Sequence, residues 1–377
     1  MKRRFLLLSL LSFLLNPLFG QDGSVNFSEA YIKANDGQVK IKIEEVQEML
    51  HVIMAVSDAG LKDSNMINHN GAYYKEVIDR FGRFRDHRAV KIADSLLNES
   101  IIYYIFLSSN ANGFVFDDKE LVRTNIYTFP ARGVGSTEIS EDPIVTYKKE
   151  LEDFAVSSDF RTFYAQHKPF YDTIKQDYEK YGGIDKQKAW LERKFDYKIN
   201  SYRVLTSPLI GGIHATQTFE NNNFKEMLLY LLLIKRNKEL SEELNIAMST
   251  RVIFTEIDHN YVGPLSDQYK STIDTIFDNR SFWVNAANKA TAHYPSPIKV
   301  YDEYMTWGLF LLYASDTYSD KNSLSYIEDH LNIKMVAKGF PKSEIFNKEL
   351  YRLYGKNRKG KIDGIYREML KWSGEQR

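Results

Sequence analysis

The pentapeptide Thr255-Glu256-Ile257-Asp258-His259 sits within RVIFTEIDHNYVGPLSDQY, residues 251–269. It differs by one letter from His-Glu-x-x-His. In that arrangement, histidines one helical turn apart aim two imidazoles at one zinc ion, and the glutamate polarises the metal-bound water. Here Thr255 occupies the first position, and a neutral hydroxyl is a poor zinc ligand. Two replacements are open. Glu256 can itself join His259, since a Glu-x-x-His pair presents both groups to one ion. A distant histidine such as His214 can also complete the set. The competing reading is a polar helix face whose Glu256 and His259 hydrogen-bond to neighbours. At 100° per residue Ile253, Phe254, Ile257 and Tyr261 fall on one side, and Val252, Thr255, Glu256 and His259 on the other.

A second acid raises the same question. VYDEYMTWGLFLLYA, residues 300–314, reads as a helix whose apolar stripe is Val300, Trp307, Leu311 and Ala314. Glu303 lies on that stripe. A carboxylate there is costly unless it is paired, protonated or metal-bound. Its partner is therefore a cation, a histidine or an ion, and a buried ion pair with Lys or Arg is the plain alternative. Asp302 points elsewhere and reads as a solvated neighbour. His214 follows Gly211-Gly212, which permit close backbone approach; it is either a ligand or an ordinary turn-adjacent histidine. His293 and Tyr294 precede the Glu303 helix, where they either stabilise an oxyanion or belong to a loop. His51, His69, His87, His167 and His330 are scattered and read as structural or surface residues. GKNRKGKI, residues 355–362, has phosphate-loop spacing, but Ile362 replaces the required Ser or Thr and no strand precedes it, so it reads as a basic loop.

FTEIDHNYVGP and YDEYMTWGLF, a Glu-x-x-His helix followed by a glutamate on a second helix, together resemble the gluzincin metallopeptidases. With SPLIGGIHAT they more closely resemble an uncharacterised secreted bacterial family, domain of unknown function 4932, over roughly residues 40–320 and specifically from about 200 onward. That family commonly reads His-Glu-x-x-His-x-x-Val-Asn-Pro here; Thr255 and Gly263 depart from it. The resemblance implies His259 as a zinc ligand, Glu256 as general base and Glu303 as third ligand. It also implies a strand bearing His214 beside the cleft, with Thr255, Tyr261 and Tyr304 facing substrate. The function implied is metal-dependent hydrolysis of a peptide or other amide bond by an exported protein. The alternative is a catalytically inactive zincin-like protein that binds peptide or glycan. A glycoside hydrolase using Glu256, Asp258 and Glu303 fits less well, because Asp258 lies about 160° around the helix from Glu256.

The elements must then position these residues. The chain has 377 residues, with 50 Lys+Arg, 50 Asp+Glu and no cysteine. Zero net charge argues against a nucleic-acid partner. The absence of cysteine excludes disulfides, thiol nucleophiles and thiolate metal sites. Residues 1–20 are basic, then apolar, then small: a signal-peptide pattern, with periplasmic or extracellular export as its consequence and no transmembrane segment after its removal. QVKIKI (38–43) alternates like a strand, and EEVQEMLHVIMAVSDAG (44–60) reads as a helix stopped by Gly60. Residues 144–195 are helical in period. YRVLTSPLIGGIHATQTF (202–219) suggests strand–turn–strand. KEMLLYLLLI (225–234) is a helix or a buried strand by periodicity alone, and the resemblance favours the strand. Ser266 is read as the N-cap of a helix over SDQYKSTIDTIF, and a helix is expected from about 297. The fold class expected is α+β, mostly helical and zincin-like, with a small mixed sheet before the motif helix. A helical region over 21–197 and a metallopeptidase-like region over 198–377 are the expected domains.

Overall fold

The structure is a computed structural model that describes residues 24–135 and 137–376, and of residues 12–14 the backbone alone. Apart from that backbone, the signal-like stretch lies outside the described residues. The fold is α+β and mostly helical, with one small mixed sheet. The chain divides into two compact units. The first holds residues up to Tyr178 and Ile199–Leu233; the second holds Glu179–Lys198 and Ile234–Arg377. This differs from a division near residue 198, for reasons visible in each unit.

In the first unit α1 (Glu29–Asn35) leads into β1 (Val39–Lys42) and α2 (Glu45–Val56). Val46 through Val56 are all buried, so α2 is enclosed on every side, as its nearly continuous apolar run requires. It stops at Ser57, not at Gly60: Ser57 is extended and its hydroxyl caps a short helix, Asp58–Lys62, that contains Gly60. Helices α3 (Ala72–Phe81), α4 (Arg88–Glu99) and α5 (Tyr103–Asn110) follow. Then come a hairpin of β2 (Phe114–Asp117) and β3 (Glu120–Arg123), and helices α6 (Lys148–Ser157), α7 (Phe160–Gln166) and α8 (Lys168–Tyr181, through Tyr178 in this unit).

Strands β4 (Ser201–Thr206), β5 (His214–Asn221) and β6 (Phe224–Leu231) complete the sheet in the order β5–β6–β4–β1. The backbone of Ser12–Leu14 runs parallel beside β5. β4 pairs in parallel with both β1 and β6, while β5 and β6 form an antiparallel hairpin. Its two-residue turn, Asn222-Asn223, takes positive φ at both positions, as a hairpin following the strand twist demands. The strand–turn–strand expected over 202–219 is therefore two strands that flank β6. Because β1 pairs with β4, residues 199–233 belong with the N-terminal helices.

The second unit is helical: α9 (Ile184–Lys194), α10 (Glu242–Gln268), α11 (Lys270–Phe277), α12 (Pro297–Thr317), α13 (Lys321–Lys338), α14 (Ser343–Lys356) and α15 (Ile362–Glu375). α10 and α12 pack on each other, and α12 also touches α11, α13 and α14. α9 belongs here because Trp190, 1 % exposed, is buried with Phe254 and Tyr313 and donates its indole N–H to Asp316 at 2.9 Å. α10 continues through Pro264 to Gln268. Ser266 is thus inside α10 and does not cap α11; its hydroxyl donates to Asp302 Oδ1 at 2.5 Å. Among the described residues no helix is long and apolar enough to cross a membrane.

Candidate functional site

Within the second unit, α10 carries Arg251, Thr255, Glu256, Asp258 and His259, and α12 carries Asp302, Glu303 and Trp307. The spacing of four on α12 places the Trp307 indole over Glu303, and its N–H donates to Glu303 Oε1 at 2.8 Å. Lys338, the last residue of α13, donates its ammonium to the same oxygen at 2.6 Å. The other carboxylate oxygen lies 3.9 Å from His259 Nε2. The Tyr294 hydroxyl also hydrogen-bonds Glu303. Lys338 Nζ sits 5.0 Å from the centroid of the Tyr294 ring and 5.5 Å from that of Trp307, and the Arg251 guanidinium is 5.1 Å from Trp307. Aromatic faces stabilise both cations. The partner that Glu303 requires is therefore a lysine.

The electrostatics follow from burial. For Glu303, which is 2 % exposed, desolvation alone would raise the pKa. The Lys338 ammonium, His259 and the hydrogen bonds from Lys338 and Tyr294 outweigh it, and the carboxyl is held below its ordinary range. Burial pushes the His259 imidazole down to about 4, against the pull of Glu303, so the ring is neutral near pH 7. Burial lowers Arg251 to about 10, and Glu256 acts against that shift. Asp258 is 0 % exposed, and among the described residues its oxygens have no well-formed side-chain partner, only the backbone N–H of His259 acting on the carboxyl. Burial first, then the charges of Glu303, Glu256 and Asp302, push it well above the carboxylate range. Asp302 is buried too, at 5 % exposure, contrary to its reading as a solvated neighbour. Burial raises its carboxyl to about 7 despite the Ser266 hydrogen bond.

The remaining expected site residues fall as follows. Thr255 is buried and its hydroxyl donates back to the Val252 carbonyl at 3.1 Å. Tyr261, expected on the cleft, is a core residue 1 % exposed that packs on Phe195 and Tyr197, because it lies on the apolar side of α10. Tyr304 is likewise core: its hydroxyl donates to the Trp283 carbonyl at 2.6 Å, and its ring packs on Trp283, Phe340 and Phe346. His214 belongs to β5 of the first unit and is fully buried there. His293 is exposed, whereas Tyr294 is 3 % exposed and part of the Glu303 cluster. Lys338 had no signal in the sequence: it is one lysine among many at a helix end.

This donor set does not fit a zinc ion. A tetrahedral catalytic site needs three protein ligands around an open position. Here one imidazole stands near a glutamate that an ammonium already holds, and Thr255 is engaged with its own helix. Among the described residues no group of three or more His, Asp or Glu is arranged to hold a metal ion. Comparison with protein-family models, with curated proteins and with solved structures finds no match to this chain.

Proposed function

We propose that this chain is an exported, zincin-like protein of the kind its motifs resemble, without metal-dependent catalysis, and that it acts by binding peptide or glycan. One observation carries the reading: Lys338 Nζ lies 2.6 Å from Glu303 Oε1, putting a fixed positive charge on the carboxylate that would otherwise be the third metal ligand. A buried carboxylate must have its charge compensated, and lysine does this without an open coordination position. Thr255 in place of the first imidazole supports the same reading, since neither change alone would leave a usable zinc set. The pair Glu256 and His259 then serves as a polar helix face around the Glu303 cluster.

Metal analysis of the purified full chain, with and without added zinc, tests this. The expected result is no stoichiometric zinc, a thermal transition unchanged by chelators, and no hydrolysis of a mixed peptide substrate that Glu256→Gln abolishes. One zinc per chain, lost in both His259→Ala and Glu303→Ala, together with peptide hydrolysis lost in Glu256→Gln, would overturn the proposal in favour of a metallopeptidase.

A further inference from the structure

The first unit contains a cleft of about 370 Å³ whose chemistry none of the residues above explains. A volume of this order suits a small ligand, since such sites commonly run from about 300 to 1,000 Å³. Arg203 from β4 lines it and is only 15 % exposed in its side chain. One end of its guanidinium is occupied: it donates to the Tyr31 hydroxyl and lies 3.8 Å from the buried Glu226. Its Nε has no hydrogen-bond partner among the described residues. Asn112 Oδ1 and Thr124 Oγ1, on two further residues lining the cleft, also lack partners among the described residues. Lys168 and Glu44 line the same cleft and make no ion pair with any described residue, whereas Glu45 is neutralised by Arg161 at 2.9 Å. Phe116 and Tyr164 contribute aromatic surface.

Unsatisfied buried donors and acceptors are costly unless something meets them. Here the buried ones are Arg203 Nε, Asn112 Oδ1 and Thr124 Oγ1, and the exposed Lys168 ammonium and half-buried Glu44 carboxylate add charges of both signs. We propose that the cleft binds a small zwitterion of the α-amino-acid class with an apolar or aromatic side chain. Its carboxylate would meet Arg203 and Lys168, and its ammonium would meet Glu44 and Asn112. Its side chain would lie against Phe116 and Tyr164. Thr124 would serve either charged group. Glu226 and Glu44 already balance the charge of Arg203, but a neutral glycan would offer no carboxylate to Arg203 Nε and Lys168, and neither it nor an acidic sugar would offer an ammonium to Glu44.

Titration calorimetry of the full chain with L-phenylalanine and with the dipeptide Phe-Phe is the test. Saturable binding of either is expected. N-acetylation of the ammonium and esterification of the carboxylate should each weaken it about tenfold or more, as loss of a charge-assisted pair does. Lys168→Gln and Thr124→Val, which break no side-chain hydrogen bond or ion pair among the described residues, should each weaken it while leaving circular dichroism unchanged. The inference is overturned if neither zwitterion binds, if the blocked forms bind as tightly, if both variants match the wild type, or if only glucuronate binds. It deepens the binding reading above by naming a ligand, yet it fails separately: zinc-dependent hydrolysis would overturn that reading alone, and a metal-free protein indifferent to zwitterions would overturn this one alone.

Discussion

Glu303 is 2 % exposed and still ionised, because the ammonium of Lys338 meets it from a different helix. Removing one partner of such a pair leaves a buried charge uncompensated. Lys338→Met should therefore cost roughly 3–5 kcal/mol of unfolding free energy in urea titrations. Adding Glu303→Gln should restore most of it. The same geometry predicts a gain: T255H combined with K338A rebuilds His-Glu-x-x-His and frees Glu303, so zinc affinity measured by competition with a chromogenic chelator should rise over wild type. A second buried acid sets a pH response. Burial raises Glu48 from 4.5 to about 7, against hydrogen bonds from Ser207 and Tyr73. Its folded pKa lies above its unfolded one, so the protonated carboxyl's contribution is full below about 4.5 and lost as pH rises through 7. Glu48→Gln should gain on the wild type by roughly 3 kcal/mol across that window, read from denaturant midpoints at pH 4.5 and 8. At this scale the sequence shows that Glu303 needs a partner, because a carboxylate on an apolar stripe is conspicuous. It does not show which one, since an aliphatic lysine stem lets that residue type serve surface and interior alike. Asp302, expected in solvent, is buried for the converse reason: a helix packed on several sides leaves little solvent face for its acids to occupy.

Between residue and molecule, the elements were legible where period and punctuation agree. The alternation of QVKIKI becomes β1, and Gly211-Gly212 marks a close approach that the structure contains. Gly211 N donates to the Met66 carbonyl at 3.1 Å and Gly212 N to that of Asn65 at 2.5 Å. A Cβ at Gly211 would stand 2.3 Å from the Asn65 carbonyl oxygen, which is backbone and cannot rotate aside. Gly211→Ala should therefore destabilise by about 1–3 kcal/mol in chemical denaturation, whereas Gly82→Ala, with nothing within 4 Å, should not. Boundaries were lost where a local signal competes with packing. Pro264 suggests a break, yet α10 passes through it, and Ser266 donates to Asp302 instead of capping a new helix. Strand partners were not legible, because β4 pairs with β1 from far upstream and no local pattern specifies that choice.

For the whole chain, the division of residues between two units makes a direct prediction about fragments. A fragment starting at 199 follows the expected division near residue 198 but lacks α9, which supplies Trp190 to the pocket of Phe254, Tyr313 and Asp316. Losing a buried tryptophan costs about 3–5 kcal/mol, a large share of the roughly 5–15 kcal/mol that holds a domain folded, and the fragment loses the rest of α9 as well. Fragment 199–377 should show helical far-ultraviolet dichroism but no fixed near-ultraviolet signal, and Trp190→Ala in the full chain should lower its unfolding midpoint. The same interleaving governs the order of events at the ribosome, where chains emerge N-terminus first and regions fold as they become complete. β1 leaves the exit tunnel long before β4, its neighbour in the sheet, has been translated. Trp190 likewise emerges before the residues that enclose it. α9 must wait through the synthesis of the entire β4–β6 segment, an amphipathic helix without its seat, until translation has passed Asp316. A pause in elongation once residue 233 has cleared the exit tunnel would let the first unit close on itself while α9 still lacks its seat.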